Sequence, residues 1–158
     1  MSERKNFGYL GHSFQLKLIN LIITDNTFFN TIIDAIQAKY FDNQYFRLIM
    51  QLIKEYYEKY QIAPSFDALD QLTRIEISSE MARKNIFDML KEIKEASFED
   101  HLFIKEKSIK FCKQQELKKA TNKIQGILDS GDFDRYDECE DILKEALSVG
   151  GEKDNGID

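Results

Sequence analysis

The chain has 158 residues, 42% hydrophobic, 12% aromatic and 32% charged, with a formal net charge of −6; this excludes a wholly disordered chain and suits one soluble globular domain with a real core. One proline, seven glycines and no tryptophan argue against a turn-rich sandwich or barrel, and the supply of Lys, Glu, Leu and Ile predicts an all-α fold. Cys112 and Cys139 are too few for a disulfide framework or a four-ligand zinc site. No signal peptide is recognisable and no apolar run reaches the ~20 residues of a membrane span, so a reducing cytoplasm is the expected location.

In chain order, Met1 to His12 read as a loose arm whose Phe7 and Tyr9 tuck against the body. Ser13 is placed to cap a first helix. Its Phe14, Leu16, Leu18, Ile19, Leu21, Ile22 and Ile23 leave a narrow polar strip at Gln15, Lys17 and Asn20, the mark of a helix buried on most sides. Asp25 is the next N-cap, and Phe28, Phe29, Ile32, Ile33 and Ile36 form one wide helical stripe. Asp42 is expected to cap a helix running to about Tyr60, with Tyr45, Ile49, Leu52, Ile53 and Tyr56 facing inward. Ala63-Pro64 stops it, because the residue before a proline avoids the α region. Ser65 caps a short helix using Phe66, Leu69 and Leu72, and Ser78 or Ser79 opens another with Ile86, Met89, Leu90 and Ile93. Residues 1–98 thus read as one helical bundle.

From Glu99 a helix is expected to run to about Leu128, roughly 45 Å at about 1.5 Å per residue, more than a small domain can cover. Asp129-Ser130-Gly131-Asp132 breaks it, with Gly131 as the left-handed cap and Asp134 as a new N-cap for a last helix over 135–148. Leu117, Ala120, Ile124 and Ile127 on one side, and Tyr136, Cys139, Leu143 and Ala146 on the other, repeat a spacing of 3, 4 and 3. That rhythm predicts an antiparallel hairpin over 99–149, with Ile142 and Leu147 beside its seam. Either a partner chain covers this broadened face or the hairpin folds onto the preceding helices. Basic residues outnumber acidic ones 7 to 2 over residues 101–125, and acidic outnumber basic 11 to 3 over 126–158. Those charges either support the antiparallel pairing or are two solvated faces. Residues 150–158 have the composition of a flexible linker.

The sequence carries no catalytic signature. Gly126 and Gly131 have the glycine spacing of a phosphate-binding loop, but Asp132-Phe133 stands where Lys and Ser or Thr would hold phosphate and magnesium. His101 and Cys112 lie about 16 Å apart along one helix, too far to share a metal. The carboxylates Glu99 and Asp100, and Asp137, Glu138, Glu140 and Asp141, read as solvated helix starts. Lys105, Lys107, Lys110, Lys113, Lys118, Lys119 and Lys123 circle their helix instead of forming a stripe, which predicts weak or no direct DNA binding. No catalytic, cofactor or metal residue is therefore expected in this stretch.

Five further stretches bear on family: Leu18-Ile19-Asn20-Leu21-Ile22-Ile23 followed by Phe28-Phe29; Lys39-Tyr40-Phe41-Asp42; Ile62-Ala63-Pro64-Ser65-Phe66-Asp67-Ala68-Leu69; Phe98-Glu99-Asp100-His101; and Ile142-Leu143-Lys144-Glu145-Ala146-Leu147 before the linker. In their order the chain resembles the N-terminal domain of DnaB-type replicative DNA helicases, most of all the phage-encoded branch. Each motif is short and structural; the resemblance rests on their order over nearly the whole chain. It implies a collar domain that self-associates through hairpin dimers within a hexameric ring and docks primase or loader proteins. ATP and magnesium would belong only to a motor domain beyond the linker. A free-standing helical adaptor or loader-like protein, and a basic-helix nucleic-acid binder, are the alternatives.

Overall fold

The all-α expectation is met in the computed structural model, which describes residues 5–97 and 99–151; every regular element among them is helical. The helices are α1 (His12–Thr24), α2 (Asn26–Ile32), α3 (Gln44–Tyr60), α4 (Phe66–Glu76), α5 (Glu80–Lys94), α6 (His101–Ser130) and α7 (Tyr136–Leu147). Single 3-10 turns occupy Phe7–Leu10, Ala38–Tyr40 and Phe133–Arg135. Two compact units result, Met1–Lys105 and Glu106–Asp158, with the boundary inside the first turns of α6. Among the described residues no helix is long and apolar enough to cross a membrane. The linker expected over 150–158 falls, from residue 152 on, outside the described residues, as do Phe98 and the first four residues of the expected arm.

In the first unit α1 packs against α2 and α5, and α3 against α4 and α5. Its apolar residues Leu18, Ile19 and Ile22 are fully buried, as the near-continuous hydrophobic run requires. Two members of the expected polar strip are buried as well. Asn20 donates from Nδ2 to the Ile93 carbonyl at 2.8 Å, tying α1 to the last turn of α5. Gln15 donates to the Gly11 carbonyl at 3.1 Å and to Asp42 Oδ1 at 3.0 Å, while its Oε1 accepts from the Asp42 N–H at 3.0 Å. Buried amides are tolerated where their hydrogen bonds are made, and these are.

That use of Asp42 corrects one expected cap. Asp42 is held by Gln15, and the neighbouring Asn43 caps α3, accepting from the Tyr45 N–H at 2.7 Å. Ser13 does not cap α1 either: the helix starts at His12 after Gly11, whose φ of +94° only glycine adopts without strain. The arm is not loose from Phe7 onward. Phe7 is fully buried, its ring 5.3 Å from that of Phe41 in an edge-on contact, whereas Tyr9 stays half exposed. Helix α2 ends at Ile32, but Ile33 and Ile36 remain buried in the turn that follows. Lys54 of α3 donates to the Ile33 carbonyl at 3.0 Å and so helps satisfy that helix end.

Three expected caps are observed. Asp25 accepts from the Phe28 N–H at 3.0 Å, Ser65 from Ala68 at 3.0 Å, and Ser79 rather than Ser78 from Ala82 at 3.2 Å. Gln61 closes α3 in the left-handed conformation, φ 62°, just before Ala63-Pro64. On α3 the buried face holds Phe46 and Met50 with Ile49, Leu52 and Ile53, while Tyr45 and Tyr56 lie at its half-buried margins. The Tyr45 hydroxyl accepts from Asn85 of α5 at 2.9 Å.

Candidate interaction surfaces

The second unit is built from most of α6, the turn after it, and α7. Gly131, φ +71°, turns the chain and donates its N–H to the Leu128 carbonyl at 3.2 Å. Asp132, not Asp134, supplies the cap that follows: it accepts from the Asp134 N–H at 3.1 Å, because a 3-10 turn precedes α7. Arg135 then forks onto Glu138 with contacts of 3.1 and 3.3 Å, and this pairing raises the guanidinium above its ordinary value.

The ten residues expected at the seam and association face occupy distinct environments. Ala120, Ile127 and Ala146 are buried; Leu117, Ile124, Cys139 and Ile142 are half-buried; Tyr136, Leu143 and Leu147 are exposed. Ile142 and Ala146 line one shallow groove together with Glu116, Lys119, Ala120 and Lys123 of α6. Ile142, expected beside the seam, is half-buried and lines that groove with residues of α6, whereas Leu143, expected in the seam, is 42% exposed beside Leu147 at 45%. The reason is angular. Cys139, Ile142 and Ala146 share one side of α7, and Leu143 lies about 100° further round from Ile142, on a side it shares with Tyr136 and Leu147. After α7, Gly150 passes so close to Ile109 that a Cβ there would overlap the isoleucine side chain. The glycine is thus a packing residue, a role that its linker-like neighbourhood conceals.

Neither cysteine is in a disulfide; Cys112 is buried and Cys139 half-buried. His101 is exposed. Among the described residues no three His, Cys, Asp or Glu side chains gather as a metal site would need. Several lysines of the basic run have acidic neighbours: Lys105 meets Asp25, Lys110 lies 3.4 Å from Glu106, and Lys119 lies 3.0 Å from Glu116. The Lys105 contact, with the Phe28 N–H bond, holds the Asp25 carboxyl below its usual range.

A second surface lies in the first unit. Phe66, Asp70 and Arg74, one turn apart along α4, face Phe87, Leu90, Lys91 and Lys94 of α5 across a groove of 330 Å³. Arg74 sits over the Phe87 ring, 4.9 Å from its centroid, and Lys94 lies 6.0 Å from that of Phe66. Neither helix alone reveals the groove, because it exists only where the two meet. Its sequence signal was an i, i+4, i+8 stripe on α4 that mixes aromatic and charged residues.

No family model and no curated protein matches the chain.

Proposed function

We propose that the chain is a collar-type interaction domain, of the kind implied by its resemblance to the N-terminal domain of DnaB-type replicative helicases. It associates with copies of itself through α7 and offers a docking platform to primase or loader proteins. One observation carries this reading: Tyr136, Leu143 and Leu147 stand exposed at i, i+7 and i+11 on one side of α7, next to the side whose Ile142 and Ala146 line a groove with residues of α6. Burying a large aliphatic side chain is worth about 1.5–3 kcal/mol, so such a flank favours association and serves no purpose in water. The proposal contains no chemical step; the domain works by holding partners.

Sedimentation across a concentration series tests it, with circular dichroism on two variants. The wild-type chain is expected to associate as concentration rises. Leu147→Asp should abolish that association at unchanged helix content, whereas Ile124→Asp, on the half-buried side of α6, should lower the helix content itself. A wild type that stays monomeric at its highest soluble concentration overturns the reading.

A further inference from the structure

We propose that the surface receiving α7 is the α4–α5 groove of a second copy, so that the chain associates head to tail; this rests on the self-association reading above and names its partner surface. The two surfaces are complementary in charge. Residues 21–100 carry 9 basic against 14 acidic side chains, yet Arg74, Lys91 and Lys94 converge on this groove with one acid, Asp70. None of these four has an ion-pair partner within the chain among the described residues, and Arg74 lies on an aromatic ring instead of pairing with Asp70 one turn away.

Helix α7 has the opposite balance: Asp137, Glu138, Glu140, Asp141 and Glu145 against the single base Lys144. On its helical wheel Glu140, Lys144 and Asp137 follow one another along one edge of the exposed stripe of Tyr136, Leu143 and Leu147. The groove is lined by apolar Phe66, Phe87 and Leu90 with Arg74, Lys91 and Lys94 beside them, and its single acid, Asp70, has Lys144 as a counterpart. At 330 Å³ it sits at the lower end of the ~300–1,000 Å³ typical of binding pockets, the size for two anchoring side chains of a helix rather than for a whole ligand. Leu143 and Leu147, one turn apart, are the anchors.

The geometry is heterologous: each copy presents one groove and one α7, so every contact leaves a free groove at one end and a free α7 at the other. An α7-to-α7 contact would be isologous and would bury only α7. The distinction is testable by mixing. The groove variant Lys91→Glu reverses an exposed rim charge, and the helix variant Leu143→Asp spoils an exposed anchor; neither touches a buried residue. Each alone should associate at least about tenfold more weakly than wild type, since like charges or a polar anchor then face the docking surface. Mixed, the two should form a 1:1 heterodimer of wild-type affinity, because the mixture holds one intact groove and one intact α7. Adding Glu140→Lys to Lys91→Glu should restore self-association.

Fluorescence-detected sedimentation of one labelled variant with the other unlabelled reads all of these, with circular dichroism checking that the variants are folded. Self-association of Lys91→Glu at wild-type strength would overturn the groove assignment and place α7 against another α7, leaving the proposed function intact. Two folded variants that fail to combine would overturn it too. A wild type that never associates overturns both readings.

Discussion

The two units bury their apolar residues to different degrees. In the first, aromatic and aliphatic side chains from five helices reach full burial, and the amides caught among them are hydrogen-bonded. In the second, the buried apolar positions are Phe111, Cys112, Ala120, Ile127 and Ala146, two of them alanine, while Leu143 and Leu147 keep nearly half their surface in water. A small side chain lets two helices approach but removes little apolar area from solvent. Both units leave large apolar side chains in water, Ile75, Met81 and Leu102 in the first as well as Leu143 and Leu147 in the second, so what separates them is the size of the buried core.

The largest effect that separates them should come from equivalent truncations. Phe46→Ala, in a side chain with no exposure, should cost about 3–5 kcal/mol, a large share of the ~5–15 kcal/mol available to a domain. Leu143→Ala removes a side chain that is already 42% exposed and should cost less than about 1 kcal/mol at concentrations where the chain is monomeric. Urea unfolding followed by circular dichroism measures both. Equal costs would mean that α7 is as well buried as α3, and the contrast between the units would fail.

Next in size is the polar contrast. Asn20→Ala deletes a buried donor at 2.8 Å from the Ile93 carbonyl and should cost about 1–3 kcal/mol. Gln125→Ala deletes an exposed hydrogen bond of the same length to Asp129 and should stay within about 0.5 kcal/mol. A single cap lies between these: Ser65→Ala should lower stability by about 1 kcal/mol, because the Ala68 N–H at the start of α4 loses its acceptor.

What the sequence reveals depends on how local the determinant is. Asp25, Ser65 and Ser79 cap their helices through bonds three residues long, and each was legible because the acceptor and the start of the apolar pattern sit side by side. Asp42 stands where a cap is expected, but its partner Gln15 lies 27 residues away; the competition between a distant amide and the adjacent helix start leaves no local trace. The same limit applies to α7. Its heptad rhythm fits both Leu143 and Ile142, one residue apart, and which of them lines the groove with Ala120 is a tertiary fact. The α4–α5 groove escaped for a related reason: each helix alone shows a mixed stripe, and the meeting of the two stripes is a tertiary fact.

A small effect of another kind is the pH dependence of the Asp25–Lys105 pair, which lies wholly within the first unit. The hydrogen bond from Lys105 is the main cause of the lowered carboxyl pKa, and the Phe28 N–H bond is the next. A carboxylate whose folded pKa lies below its unfolded value contributes stability that is fully present above the unfolded value, near 3.9 for an aspartate, and is lost as pH falls through the folded one. Lys105→Met removes the leading cause but keeps the backbone bond, so the Asp25 midpoint should rise without fully reaching the ordinary value. A carboxyl-carbon NMR titration reads that shift directly. The accompanying loss of stability should be below about 1 kcal/mol, because both side chains retain partial solvent access. It should be present near neutrality and vanish at low pH, where Asp25 is protonated in both proteins. A variant equally destabilised at every pH would show that Lys105 contributes through the packing of its stem along the Phe28 ring, whose centroid its ammonium approaches at 6.0 Å, and not through its charge.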